Sequence, residues 1–201
     1  MEEFKIKSIE EWIQFFKVEV PKHVTETRWE HILRVANLAE SLAVSHSYPN
    51  PKKAYLAGLC HDITKQKKKE IHEELFSEYS LDVTGVPFQA YHAYSAPLFL
   101  KKNFGFYDLE IQSAIQNHTL GNLKPVFFDQ ILYAADFLGS DYCQRLSELK
   151  EWIQKTKENL YFGIFMKAFQ TISFLMEKKE SIHPHTFYTY NNAQQSLKEM
   201  N

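Results

Sequence analysis

AYLAGLCHDITK, residues 54–65, is apolar on nearly every side before it reaches a histidine and an aspartate. A helix without a polar face belongs at the centre of a helical bundle, so the stretch from about Pro51 to Asp62 is read as the most buried helix of the chain. Its C-terminal end would hold His61 and Asp62 side by side against the core. The dipeptide alone is a weak signal: with 9 His in the chain, roughly one sequence in four of this make-up carries such a pair by chance. Its meaning rests on what the other helices bring to the same place.

Outward from this stretch the apolar period stays helical, and glycine is scarce at 6 residues. No sustained alternation at period two is present, which predicts an all-α chain. A first helix is expected over about Ser8–Val18, with Ser8 and Glu11 forming a capping box, and Pro21 ends it. A second runs from about Thr27 to Ser45 and carries His31, Val35, Leu38 and Leu42 on one buried face. After the KQKKK run (residues 65–69) come a short helix near Lys69–Tyr79 and another over about Gln89–Lys102, bent or restarted at Pro97. Asp108 can cap a helix that ends at His118, with Ile111, Ile115 and His118 on one stripe and Gly121 as its stop. A helix over about Pro125–Leu138 lines up Phe128, Leu132 and Asp136. Two amphipathic helices (about Gln144–Glu158 and Leu160–Lys178) and a short terminal one complete the chain. We read one domain over residues 1–201, with a metal-binding core at about 27–139 and additional C-terminal helices at about 144–201.

The bulk properties set limits on function. A net charge of −2 and 44% hydrophobic residues give no grip on a nucleic acid polymer, although a small polyanion can still bind. Cys60 and Cys143 are far apart in apolar helical patterns, the usage of a reduced, cytoplasmic compartment. The N-terminal MEEFKIKSIEEW lacks a basic segment followed by an apolar one, and no run approaches the ~18 apolar residues of a membrane span. Tyr161, Phe162, Phe165 and Phe169 are read as core, with a homodimer interface as the second reading.

Collected in order, the polar residues expected to face inward or to end a helix are His31, His61, Asp62, His92, His118 and Asp136. One such histidine is usually a core imidazole bonded to a carbonyl. Four, with two carboxylates, would cost several desolvation penalties unless they share a cation. Facing helices can project such a set inward, and Fe, Mn, Co, Ni or Zn would suit it. A bridging carboxylate would make it a two-metal site, and Asp62 is the candidate. His23, His46 and His72, near loops or polar faces, and His183 and His185 in the tail are read as non-ligands. Lys67–Lys69 are read as a solvated face. Thr119 can donate to a phosphate, or equally to backbone.

The pattern His31, His61-Asp62, Asp136 resembles the signature of the HD-domain metal-dependent phosphohydrolases. More narrowly, RWEHILRV (28–35), AGLCHDITK (57–65), the solitary His92, IQNHTLG (115–121), ILYAADFL (131–138) and HPHTFYTYNN (183–192) are similar to the YqeK-type bacterial family. The resemblance spans nearly the whole chain and implies a helical HD-domain bundle that cleaves diadenosine tetraphosphate symmetrically to two ADP. It implies two divalent transition-metal ions, iron first, with Mn, Co or Zn as alternatives. One would sit on His31, His61, Asp62 and Asp136, the other on His92, His118 and bridging Asp62. It further implies Asp62 and Lys65 as catalytic groups and Arg28, Lys65 and Thr119 as phosphate contacts. Two departures touch substrate recognition. HTLG stands where the family has HTTG, and FLGSDYCQR (137–145) replaces a basic, Glu-Pro and arginine segment, leaving Arg145 displaced. They point to a shifted nucleotide preference. Another HD-type nucleotide phosphatase, or a non-catalytic nucleotide-binding module, are the alternatives.

Overall fold

The computed structural model describes residues 7–199; the first six residues of the acidic N-terminal stretch and the last two residues lie outside the described residues. Among the described residues the elements are helical, with no strand: α1 (Ile9–Glu19), α2 (Glu26–Ser45), α3 (Pro51–Cys60), α4 (Lys69–Glu78), α5 (Tyr91–Phe104), α6 (Leu109–Asn117), α7 (Phe127–Leu138), α8 (Leu149–Glu158), α9 (Leu160–Lys178) and α10 (Pro184–Glu199). The all-α expectation is met.

The capping signals at Ser8 and Asp108 act where they were read. Ser8 and Glu11 close the capping box of α1, the Ser8 N–H donating to Glu11 at 2.7 Å. Asn50 caps α3, with Pro51 in the first turn, where its missing N–H costs nothing. Every residue of α3 from Ala54 to Cys60 is buried. Asp108 accepts from the Glu110 and Ile111 amides and starts α6. Helix α5 runs through the buried Pro97 without a break.

α3 lies against α2 at very short range. A Cβ at Gly58 would fall 2.5 Å from the Ala36 Cα, so only glycine permits this approach. One buried apolar cluster joins Phe16 of α1, Ile32 and Leu42 of α2, Leu56 and Leu59 of α3, Ile111 of α6, Leu132 of α7 and Ala193 of α10.

Four expectations need correction. Residues 144–148 are not the start of α8: Cys143–Arg145 form a 3₁₀ turn and Leu146 is extended. The Gln144 side chain bonds back to the Leu138 carbonyl and Ser140 Oγ takes the Cys143 amide, so side chains close the end of α7 in place of a new helix. The terminal helix is long, 16 residues. Its Thr, Tyr and Asn content reads weakly helical, and packing on α9 decides instead. His72 is not on a polar face: it is buried, with Nδ1 2.7 Å from Ser95 Oγ. Of the four aromatics read as core, Tyr161 and Phe165 pack against the cluster, whereas Phe169 is exposed.

Candidate metal centre

His31 comes from mid-α2, His61 and Asp62 from the turn that ends α3, His92 from the first turn of α5, His118 from the end of α6, and Asp136 from the last turn of α7. The six side chains meet. Asp62 divides its two oxygens between two groups. Its Oδ2 lies 3.6 Å from His31 Nε2 and 3.4 Å from His61 Nε2. Its Oδ1 lies 3.3 Å from His92 Nε2 and 3.8 Å from His118 Nε2. Asp136 Oδ1 joins the first group, 3.2 Å from His31 and 3.5 Å from His61. The sets His31–His61–Asp62 and Asp62–His92–His118 are each compact enough to hold a metal ion, and all five residues are buried.

Backbone carbonyls set the tautomers. His31 Nδ1 is 3.1 Å from the Gly139 carbonyl, His61 Nδ1 2.7 Å from that of Gly58, and His118 Nδ1 2.6 Å from that of Ile115. In its neutral form each ring donates Nδ1–H to a carbonyl and leaves the Nε2 lone pair facing inward, the form in which imidazole binds a metal. His31 Nε2, His61 Nε2 and Asp62 Oδ1 are buried without a hydrogen-bond partner. Orphaned buried atoms of this kind cost about 1–3 kcal/mol each unless something else satisfies them, and a shared cation would do so.

The electrostatics agree. Burial would raise the Asp62 carboxyl, but His61, His92 and Lys65 outweigh it and hold it well below the usual range. Burial opposes ionisation of Asp136 too, and Lys167, His31 and His61 overcome it. Burial would lower His61, yet the two carboxylates raise it to about 9. His118 is pushed down to about 3 by burial and by the charge on His61.

Three polar groups expected near phosphate surround the centre. Arg28 Nη1 donates to Asp62 Oδ2 at 3.1 Å. Lys65 Nζ sits 3.3 Å from both ring nitrogens of His92. Thr119 Oγ1 lies 3.2 Å from His92 Nε2 and 3.1 Å from His118 Nε2, so its hydroxyl faces the second group. Thr119 also opens on a cleft of about 830 Å³ walled by Leu120, Phe137, Tyr142, Phe174 and His183. A smaller cavity of about 170 Å³ lies past Lys65 and His92, against His72 and Phe88, and Gln89 lines both. Arg145, the displaced arginine, is exposed on its 3₁₀ turn.

The HD domain family profile matches residues 28–148, which include all six residues of the centre. The chain belongs to the HD-domain family. The chain is similar to proteins named symmetrical bis(5'-nucleosyl)-tetraphosphatase. The one from Halalkalibacterium halodurans is 27% identical over 174 residues, 86% of this chain and 91% of that protein. The one from Bacillus subtilis is 26% identical over 181 residues, 86% of this chain and 92% of that protein. A solved structure described as a predicted HD superfamily hydrolase involved in NAD metabolism, from Clostridium acetobutylicum, superposes with a TM-score of 0.81 at 22% identity, over 92% of this chain and 97% of that one. That similarity shows the fold.

Three residues around the HD centre escaped the sequence reading. Arg34, one turn past His31, donates with His31 to the same Gly139 carbonyl and pairs with Asp141, fastening α2 to the end of α7. Asp129, buried on α7, accepts from Ser113 and Asn117 and holds the end of α6 that carries His118. Lys167 of α9 donates to Asp136 and to the His118 carbonyl. It lies beyond the HD match, on a helix read only as amphipathic. An inward charge among Ile164, Ala168 and Ile172 was the available signal.

Metal uptake by the metal-free chain should expel close to one proton. His61 is protonated below about 9, and ligation needs its lone pair, so apparent affinity should rise about tenfold per pH unit from 6 towards that value. Calorimetry in two buffers of different ionisation enthalpy reads the proton count directly. No proton released at pH 7 would show that His61 is already neutral.

Proposed function

We propose that this chain is a metal-dependent phosphohydrolase that cleaves diadenosine tetraphosphate symmetrically to two ADP. The observation that carries it is the division of Asp62 between two histidine pairs. Relatives named for this activity, similar over 86% of the chain, supply the substrate class. His31, His61, Asp136 and Asp62 Oδ2 would hold one divalent cation; His92, His118 and Asp62 Oδ1 would hold the other. We assign iron, with Mn, Co or Zn able to use the same donors. Bound there, two such cations supply a water that ionises near neutral pH and positive charge on the phosphoryl oxygens.

The chain's own residues do the rest. Arg28 is poised to exchange its bond to Asp62 for a phosphate oxygen, a fork-shaped contact that also fixes orientation. Lys65, over the face of His92, stands where it can offset charge developing on the departing diphosphate. Thr119 donates one hydroxyl bond to the bound phosphate. The 830 Å³ and 170 Å³ cavities flank the centre, one for each nucleoside half. With FLGSDYCQR after Asp136, the larger cleft meets its nucleoside with the aromatic Phe137 and Tyr142.

We place the enzyme in the cytoplasm: both cysteines are buried and unpaired, and no described helix is long and apolar enough to cross a membrane. We also read the chain as one domain, because the buried cluster draws on helices from α1 to α10.

Product analysis tests the assignment. Protein reconstituted anaerobically with Fe(II), and in parallel with Mn(II) or Co(II), is given diadenosine tetraphosphate and the products are separated by anion exchange. ADP as sole product is expected. ATP with AMP would refute symmetric cleavage, and no turnover by metal-loaded protein would leave another nucleotide or a binding role. Lys65→Ala should keep both metals and lose about 10²-fold in kcat/KM. If that variant emptied the site, the phosphate role of Lys65 would be wrong.

A further inference from the structure

The centre has a contributor outside the HD match. Lys167 projects from α9 into the interior, only 7% exposed. Its ammonium carries three N–H donors, and three acceptors surround it. Asp136 Oδ2 is at 2.7 Å, the His118 carbonyl completes a second bond, and the face of the Tyr133 ring lies 4.2 Å away. A buried ammonium is costly unless each donor is met. Here each is met, and two of the partners belong to the centre.

The two oxygens of Asp136 therefore have separate tasks. Oδ2 is engaged by Lys167, and only Oδ1 is left facing His31 and His61. The same ammonium holds the backbone of His118, from the other histidine pair. We infer that Lys167 is a positioning residue of the metal centre, which confines Asp136 to a single ligating oxygen and ties together the two ligand groups, so that α9 completes the site. The inference rests on the two-metal reading above.

Two consequences follow from this contact. An Asp136 carboxylate freed of its ammonium can turn its second oxygen towards the cation, which changes the coordination and places more negative charge on it. The end of α6, released at the His118 carbonyl, shifts relative to α7. Metal uptake itself survives, since the six ligands remain and a nearby positive charge has been removed. The loss falls on turnover. Outer contacts of this type are worth about 10–100-fold in metal affinity or activity.

The test compares the wild-type chain with Lys167→Met, which keeps the stem and removes the donors, and Lys167→Arg, which restores the positive charge and N–H donors. Each is loaded with Co(II), and metal stoichiometry, the visible Co(II) absorption spectrum, melting temperature and steady-state kinetics are measured. Lys167→Met should bind two ions, show an altered Co(II) spectrum, and lose about 10–100-fold in kcat with little change in KM. Lys167→Arg should recover part of both signals. An unaltered spectrum and kcat in Lys167→Met, whatever its melting temperature, would overturn the inference and leave Lys167 a packing residue. Wild-type protein that takes up no cobalt would instead overturn the two-metal reading. Should Lys167→Met not fold, Lys167→Leu, which also lacks donors, carries the same comparison.

Discussion

Asp62→Ala is expected to empty both halves of the centre at once and to abolish hydrolysis. Asp62 is the only side chain of the six whose oxygens face both histidine pairs, with Oδ2 towards His31 and His61 and Oδ1 towards His92 and His118. Removing it deprives each cation of an anionic donor and leaves Arg28 without its partner. Wild-type protein should carry about two equivalents of metal and the variant close to none, by elemental analysis after reconstitution. Turnover should fall by more than about 10³-fold, equivalent to roughly 4 kcal/mol of barrier. The helical circular dichroism should persist, because the surrounding apolar contacts are untouched. His31→Ala makes the informative contrast: it touches one half, so about one equivalent should remain on Asp62, His92 and His118. Two equivalents of metal retained in Asp62→Ala, or turnover near the wild-type rate, would contradict the bridging assignment.

Gly58→Val should be the most damaging single change to stability outside the ligands. A Cβ there meets the Ala36 Cα at 2.5 Å and the Ala36 nitrogen at 2.9 Å, both backbone atoms that cannot rotate away. α2 and α3 would have to separate along their closest contact. Overpacking of this kind typically costs about 1–3 kcal/mol; with backbone on both sides the upper end applies. For a chain of this size about 3 kcal/mol corresponds to a fall of roughly 9 °C in melting temperature. The Gly58 carbonyl also holds His61 Nδ1, so metal affinity should weaken as α3 shifts. A melting temperature within a degree of wild type would show that the two helices do not approach this closely.

Gly58 also marks a limit of sequence reading. A glycine inside a helix costs about 1 kcal/mol relative to alanine, so its presence in AYLAGLC implies a packing reason. Which helix presses on it is not a local property. Asp129 and Lys167 are similar: each is an ionisable residue among apolar neighbours, as Asp136 is. Asp136 stood out because it continues the stripe of Phe128 and Leu132 near the end of its helix and had histidine companions at other helix ends, whereas Asp129 and Lys167 have partners that no motif joins. The start of α8 was misplaced for a related reason. No glycine or proline interrupts residues 144–148, which would suit a helix, but Ser140 and Gln144 use their side chains to finish α7.

The sequence by itself determined the all-α class, the caps at Ser8 and Asp108, and the helix ends that carry His61, Asp62 and His118. These follow from periodicity and from hydrogen bonds spanning a few residues, which short stretches encode. It also indicated, from helix faces and helix ends, the six residues that meet at the centre. Only the tertiary structure decided that Asp62 splits its oxygens between two groups, that carbonyls of Gly58, Ile115 and Gly139 set the histidine tautomers, and that Lys167 reaches the centre from α9. The Gly139 carbonyl is 108 residues from His31, and Lys167 is 31 from Asp136. Contacts at such separations depend on how helices pack, and packing is set by the whole core at once.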